Sequence, residues 1–246
     1  MAEPEVSEED TLKETLFDRI QLAEEKSILD FTFHMGINYY ITVKNNIDTS
    51  IRQIINKSGV SSFKVDSSSF NSLLNDNQKI EIYKILKKFG GLVIANCEEE
   101  KEMQNNYNKL TSSEKESLKY YSNIYSSENE RNYIEKIISQ IKKIDFPQGV
   151  HFNSISSELS VHAIQEAQKS GIIVTASVTP HHLILTNNIY EENNDNIDYI
   201  TSPPLRTQKD IDSLWKGLNE NILDFVSSDH SGFTQQQKRG KSIKPD

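Results

Sequence analysis

Six histidines and one cysteine are the residues of this chain best suited by type to metal or nucleophilic chemistry. No two histidines form an HxH pair, and Cys97 stands alone, so the spacing predicts neither a Cys/His zinc site nor an intramolecular disulfide. Lys64 in GVSSFK and Asp229 in SSDH each follow a short apolar run. Taken one at a time, both fit ordinary polar residues at the ends of strands.

The composition excludes several classes of function. The 246 residues carry a formal net charge of -9 with a pI near 5.3, and Lys and Arg are scattered among Asp and Glu, so we expect no nucleic-acid partner. The acidic start MAEPEVSEEDTLKE lacks the marks of a secretory signal, and no apolar stretch is long enough to span a bilayer. We therefore expect no membrane partner and a cytoplasmic location. Residues 1–10 are predicted to be disordered, and 11–246 to form one domain.

Short apolar runs alternate with amphipathic helices, which is typical of α/β proteins with parallel strands and crossover helices. One predicted helix ends before Gly59 and the next before Gly90, and Thr207 with Asp210 has the spacing of a capping box. The pattern leaves open whether the sheet is doubly wound or an arc of a (β/α)8 barrel. No GxGxxG or GxxxxGK[ST] stretch favours nucleotide binding. The six predicted strands lie in DFTFHMGI, SSFKV, LVIANC, VHFNSIS, IIVTASV and FVSSDH.

Four stretches resemble the cyclic amidohydrolases of the dihydropyrimidinase, hydantoinase and allantoinase family. They are DFTFHMGI at 30–37, GVSSFK at 59–64, SPPLR at 202–206 and SSDHSGFTQQQKRGK at 227–241. The order and spacing from SISSELSV to LWKGL also match, so the resemblance covers nearly the whole chain after about residue 11. It implies a partial (β/α)8 TIM-type barrel of about six βα units, without the first two strands and the C-terminal β-sandwich portion.

The resemblance also implies a binuclear metal site at the carboxyl ends of the strands. In the family, an HxH pair, a carbamylated lysine, two further histidines and an aspartate hold two zinc ions, whose shared hydroxide attacks a cyclic amide. Lys64 matches the carbamylated lysine, and Asp229 matches the catalytic aspartate, which is also a metal ligand. If the chain is active, the implied cofactor is therefore two zinc ions bridged by carbamylated Lys64.

The same resemblance predicts a degraded metal site. Asn96 in ANCEE and Ser154 in SISS stand at the positions of the two further histidines, and a carboxamide or a neutral hydroxyl is a poor substitute for imidazole. His151 precedes Ser154 by three residues, so strand alternation points its side chain to the opposite face. Asp229 is then predicted to be vestigial. The other histidines are predicted to be packing residues or to support the site from behind its ligands: His34, His162, His181, His182 and His230.

The substrate side of the implied site is altered as well. Ser67–Ser69 occupy the place of a tyrosine that would contact the tetrahedral intermediate in dihydropyrimidinases. Ser202 matches the serine whose main chain would hold the ring amide, and Pro203 and Pro204 restrict its loop. Ser202 is therefore the candidate substrate-binding residue, and the missing oxyanion donor predicts impaired substrate binding.

Three hypotheses of function remain open from the sequence. The favoured one is a non-catalytic homologue without stoichiometric metal, acting through its barrel surface. The second is a non-functional gene fragment, whose open barrel would expose edge strands. The third is an active hydrolase of dihydropyrimidine, hydantoin or allantoin rings, completed by a missing segment or a partner chain that supplies HxH. The family's tetramers imply a homo-oligomer, or a hetero-oligomer with a full-length homologue.

Overall fold

The computed structural model of the chain describes residues 12–37, 46–65, 70, 73–192, 196–230, 232, 234 and 236. The predicted disordered stretch 1–10, Ser67–Ser69 and most of the 227–241 motif after His230 lie outside the described residues. Of the described residues, those within Met1–Ala95 and Gln140–Val150 form a first compact unit, and those within Asn96–Ser139 and His151–Asp246 form a second. The prediction of one domain over 11–246 stays a prediction.

Helices and strands alternate along the described residues, as the sequence predicts. The strands are β1 (Met35–Gly36), β2 (Ser62–Lys64), β3 (Leu92–Asn96), β4 (Val150–Asn153), β5 (Val174–Val178) and β6 (Phe225–Val226). The α-helices are α1 (Leu12–Lys26), α2 (Ile47–Ser58), α3 (Asp76–Phe89), α4 (Glu100–Lys109), α5 (Tyr121–Ile124), α6 (Ser127–Lys143), α7 (Glu158–Lys169), α8 (Ile189–Glu192) and α9 (Gln208–Asn219). Short 3-10 helices occupy Glu114–Glu116, Leu118–Tyr120, His181–Leu183 and Asn196–Tyr199. The α/β class is therefore confirmed.

In the first unit, β2 pairs in parallel with β1 on one side and with β3 on the other. Helix α2 ends at Gly59, whose φ of 72° is the left-handed conformation that glycine adopts without steric cost. Helix α3 begins with a capping box between Asn75 and Gln78, which satisfies two backbone N–H groups that have no partner inside the helix. The predicted turn signals therefore set the boundaries of the elements that lead into β2 and β3.

In the second unit, β4 lies next to β5, and β5 pairs in parallel with β6. Helix α9 begins with the capping box predicted for Thr207 and Asp210. Helices α7 and α9 pack closely at Gly217 of α9. A methyl group added there would lie only 3.3 Å from Val161 Cγ1 of α7. This close approach depends on the absence of a side chain at Gly217.

Two details of the sequence prediction are wrong: the length of two strands and the burial of Trp215. The runs DFTFHMGI and FVSSDH yield strands of only two residues each, and both β6 side chains are 49% exposed. Trp215 does not belong to the buried side of α9: its side chain is 48% exposed, and its indole N–H donates to the Leu183 carbonyl at 3.0 Å. An amphipathic ring explains this placement, since its polar edge keeps a partner while part of the ring meets solvent.

Within the described residues, no helix has the length and hydropathy needed to cross a membrane.

Candidate metal and substrate site

The four residues matched to metal ligands lie at or just after the carboxyl ends of strands. Lys64 is the last residue of β2, Asn96 the last of β3, and Ser154 follows β4 directly. Asp229 comes three residues after β6. Lys64 belongs to the first unit, whereas Asn96, Ser154 and Asp229 belong to the second. Carboxyl ends of parallel strands are the usual place for active-site residues in α/β folds.

Lys64 is held by the backbone ladder of the first unit. It lies in register with Gly36 of β1 and with Ile94 of β3. Its carbonyl accepts the backbone N–H of Ile37 at 2.8 Å, and the residue is half-buried. The strand-end position fits the prediction from GVSSFK, and its role as a carbamylated ligand stays a prediction.

Ser154 and Asp229 are brought together in the second unit. The Ser154 hydroxyl donates to Asp229 Oδ2 at 3.3 Å, and the serine is 2% exposed while the aspartate is exposed. Both residues have a left-handed backbone, with φ of 56° and 45°, a conformation that costs a non-glycine residue about 1–2 kcal/mol. Strained backbone of this kind is often kept where side chains must be aimed at one point. The Ser154 hydroxyl is therefore committed to the carboxylate.

Further hydroxyl groups surround this pair. Ser177 Oγ of β5 accepts the backbone N–H of Ser154 at 3.4 Å and the hydroxyl of Ser227 at 3.4 Å. Ser227 is also fixed through its backbone N–H, which donates to the Val178 carbonyl at 2.9 Å. The environment of Ser154 in the second unit is thus built from hydroxyl and carboxylate oxygens.

His151 makes its contacts elsewhere. Its Nδ1 lies 2.9 Å from the Thr175 hydroxyl, and its ring stacks on Phe225 with centroids 5.2 Å apart. Burial lowers the pKa of His151, although the nearby Asp224 carboxylate acts in the opposite direction. These contacts agree with the predicted separation of His151 from Ser154.

The Ser202 side chain is engaged by a residue that the sequence prediction missed. Its hydroxyl donates to both carboxylate oxygens of Glu98, at 2.6 and 2.7 Å. Glu98 comes two residues after Asn96 in ANCEE, and that proximity is the only signal in the sequence. The neighbouring Thr201 carbonyl accepts the Tyr121 hydroxyl at 2.9 Å, and burial raises the pKa of Tyr121 well above its usual value. The loop that carries Ser202 is therefore anchored on both sides.

A chain of hydrogen bonds with defined donors and acceptors also holds the loop that carries Ser202. His182 Nε2 lies 3.0 Å from the Pro203 carbonyl, which can only accept, so this nitrogen carries the proton. His182 Nδ1 must then accept from the Thr179 hydroxyl at 2.7 Å, and Thr179 Oγ1 in turn accepts from His181 Nε2 at 2.9 Å. Burial lowers the pKa of His182 to about 3, so the ring is neutral at physiological pH. The packing role predicted for His182 fits these contacts, whereas His162 and His230 are exposed.

A buried ion pair lies behind the Ser202 loop. Arg206 of the SPPLR motif meets Glu130 of α6 at 3.2 Å, and their side chains are 5% and 2% exposed. The Arg206 guanidinium also donates to Ser156 Oγ at 3.0 Å and to the Tyr125 carbonyl. Ser156 donates two hydrogen bonds to the Glu130 carboxylate, one from its backbone N–H at 2.9 Å and one from its hydroxyl. Each charge is thus paired and hydrogen-bonded, as burial requires.

No group of three or more His, Cys, Asp or Glu side chains in the described part of the chain is placed to hold a metal ion. Cys97, next to Asn96, is buried, and as the one cysteine of the sequence it forms no intramolecular disulfide. The residues matched to the metal and substrate site make serine–carboxylate contacts in the second unit, in the Ser154–Asp229 and Ser202–Glu98 pairs.

Comparison with curated proteins finds similarity to dihydroorotases. A 93-residue segment is 39% identical to the dihydroorotase of Bacillus licheniformis, over 37% of this chain and 21% of that protein. The dihydroorotase of Ruminiclostridium cellulolyticum is 42% identical over 82 residues, which is 33% of this chain and 19% of that protein. The matched segments thus span about a fifth of each relative's length. No protein-family model matches the chain.

Solved structures of similar fold cover nearly the whole chain. Dihydropyrimidinase from Brevibacillus agri has a TM-score of 0.87 and 22% identity, over 99% of this chain and 53% of that one. D-hydantoinase from Bacillus sp. AR9 also has a TM-score of 0.87 and 22% identity, over 99% of this chain and 54% of that one. The chain therefore spans about half the length of these structures. The likeness confirms the predicted fold, a part of a (β/α)8 barrel.

Proposed function

We propose that the chain, which is similar to dihydroorotases and has a hydantoinase-like fold, is a non-catalytic cyclic amidohydrolase homologue whose binuclear metal site has been lost. One observation carries the proposal: Ser154, at the position of a metal-binding histidine, donates its hydroxyl to Asp229, the aspartate that would ligate the metal. An alcohol replaces an imidazole there, and it is already hydrogen-bonded.

The chemistry of the donor set supports this proposal. Zinc in hydrolase sites is held by imidazole nitrogen, thiolate or carboxylate oxygen. Asn96 offers a neutral carboxamide and Ser154 a neutral hydroxyl, and neither supplies the charge or the basicity of those ligands. Asp229 is left as a single carboxylate, which is too few strong ligands for one zinc ion and far too few for two. Two zinc ions therefore do not fit the residues present in the second unit.

Loss of the metal removes the nucleophile as well. Zinc lowers the pKa of a bound water to about 7, far below the pKa of free water. Without that shift, Asp229 has no hydroxide to orient or deprotonate, and a cyclic amide meets no activated attacking group. A lysine carbamate also needs metal ions to neutralise its charge. We therefore propose that Lys64 is an unmodified lysine in this chain.

The assignment is tested by assaying ring opening with dihydrouracil, hydantoin, allantoin and dihydroorotate, in the presence of added zinc. We expect no turnover above the uncatalysed rate, because no metal-bound hydroxide forms. The double variant Asn96→His, Ser154→His is expected to be equally inactive, since no HxH pair occurs in the 246 residues to complete the site. Turnover by the unmodified chain would refute the proposal, and turnover by the double variant would show that two histidines suffice.

The remaining functional expectations belong to the same proposal. A non-catalytic barrel acts through its surface, so a homo-oligomer or a complex with a full-length homologue is proposed in place of a substrate. A cytoplasmic location is proposed because the single cysteine of the sequence, Cys97, cannot form an intramolecular disulfide. Size-exclusion chromatography with light scattering measures the oligomeric state directly.

A further inference from the structure

A polar cavity of about 260 Å³ lies entirely within the second unit. Its walls come from the start of α6, the segment around Asn187 and the start of α9. None of its residues is among the positions matched to metal ligands or to substrate binding. The cavity therefore shares no residue with the candidate metal and substrate site.

The charged groups at its base are paired within the protein. Arg206 reaches the cavity, but its guanidinium is taken up by Glu130, by Ser156 and by backbone carbonyls. The Asp210 carboxylate caps α9 through Thr207 and accepts the backbone N–H of Glu158 at 2.9 Å. No cation that lines the cavity is left over for an anionic ligand, and the base is held rigid by these bonds.

Four polar side chains of the wall are available to a ligand. In the part of the chain that the structure describes, the side chains of Asn123, Ser127, Glu128 and Asn187 make no hydrogen bond or ion pair. Ser127 and Asn187 are half-buried, and Asn123 and Glu128 are exposed. Together they offer amide N–H and hydroxyl donors beside amide and carboxylate acceptors. Adjacent hydroxyl groups of a polyol both donate and accept, so they match this mixture.

We propose that this cavity binds a small neutral polyol of monosaccharide size. The polar wall disfavours an apolar ligand, which would leave these groups unpaired. An anion such as phosphate would face Glu128 without a free cation to offset it. The volume lies just below the range of about 300–1,000 Å³ for drug-sized ligands, which sets the size at roughly one sugar ring.

The proposal is tested with the full chain by ligand-observed NMR titration with D-glucose, D-ribose and glycerol, and with inorganic phosphate as the anionic comparison. We expect saturable binding of at least one sugar in the millimolar range and none of phosphate. Asn187→Ala is expected to weaken sugar binding by about fivefold or more, the effect of one lost hydrogen bond. The backbone N–H of Asn187, which donates to the Arg206 carbonyl at 2.8 Å, is kept in that variant.

Asn188→Ala is the matched control, because Asn188 is the adjacent exposed asparagine and does not line the cavity. Its affinity for the sugar should equal that of the unmodified chain. If Asn187→Ala fails to fold, as judged by circular dichroism, Glu128→Ala removes a different cavity acceptor at an exposed position and should weaken sugar binding by a similar factor. The inference is overturned if no sugar saturates, if phosphate binds in preference, or if the cavity variants bind sugar as well as Asn188→Ala does.

Discussion

Replacing Glu130 by alanine is expected to lower the free energy of unfolding by about 3–5 kcal/mol. The substitution leaves the Arg206 guanidinium buried without its counter-charge, at a position where both side chains are almost fully enclosed. It also removes the acceptor of the Ser156 backbone N–H and hydroxyl. Urea unfolding followed by circular dichroism measures the loss as a shift of the midpoint.

Glu166→Gln provides the control for this prediction. Glu166 pairs with Lys169 on the surface of α7 at 2.9 Å, and both side chains are largely exposed. An exposed pair contributes little, so we expect a change within about 0.5 kcal/mol. A loss below about 1 kcal/mol for Glu130→Ala would mean that Arg206 finds water or another partner, and the buried ion pair would not hold the Ser202 loop.

Acid is expected to unfold the chain partly through His182. Burial lowers the pKa of this ring to about 3, whereas in the unfolded chain it is about 6.5. Between these values the unfolded state binds the proton and the folded state does not, so stability falls as the pH falls from about 6.5 towards 3. Well inside that window the loss is about 1.4 kcal/mol per pH unit. Above pH 6.5 the ring is neutral in both states and adds no pH dependence.

His182→Gln separates this effect from the titration of carboxylates. The amide can keep one hydrogen bond, to Pro203 or to Thr179, but does not titrate, so stability at neutral pH should drop by about 1–3 kcal/mol. Between pH 6 and 4, the stability of the variant should fall less steeply than that of the unmodified chain. The two slopes should differ by about 1.4 kcal/mol per pH unit. His162→Gln, at an exposed position, should keep the original slope. Equal slopes in all three proteins would contradict the assignment.

Local patterns account for the parts of the fold that the sequence predicts well. The capping box at Thr207 and Asp210 and the glycine that ends α2 are decided by residues within a few positions of each other. The apolar runs likewise place Lys64 and Asn96 at the ends of β2 and β3, because strand limits follow from short-range patterning. These features could be predicted without any knowledge of the tertiary structure.

Long-range polar contacts could not be predicted in the same way. Ser202 and Glu98 are 104 residues apart, and Arg206 and Glu130 are 76 apart, so no local signal joins them. Trp215 shows a related difficulty, because helical spacing assigns it to the apolar side, whereas its indole N–H is drawn to the Leu183 carbonyl. Pairings of this kind are decided by tertiary packing, which overrides the pattern of a single segment.

We propose that the replacement of imidazole by the side chains of Asn96 and Ser154 has abolished the metal centre. The most direct test of this proposal is the zinc content of the purified chain, measured by inductively coupled plasma mass spectrometry after incubation with zinc and bicarbonate and removal of free metal. We expect far less than one zinc per chain, and the same zinc content in Lys64→Ala. Two zinc ions per chain that are lost in Lys64→Ala would contradict the proposal.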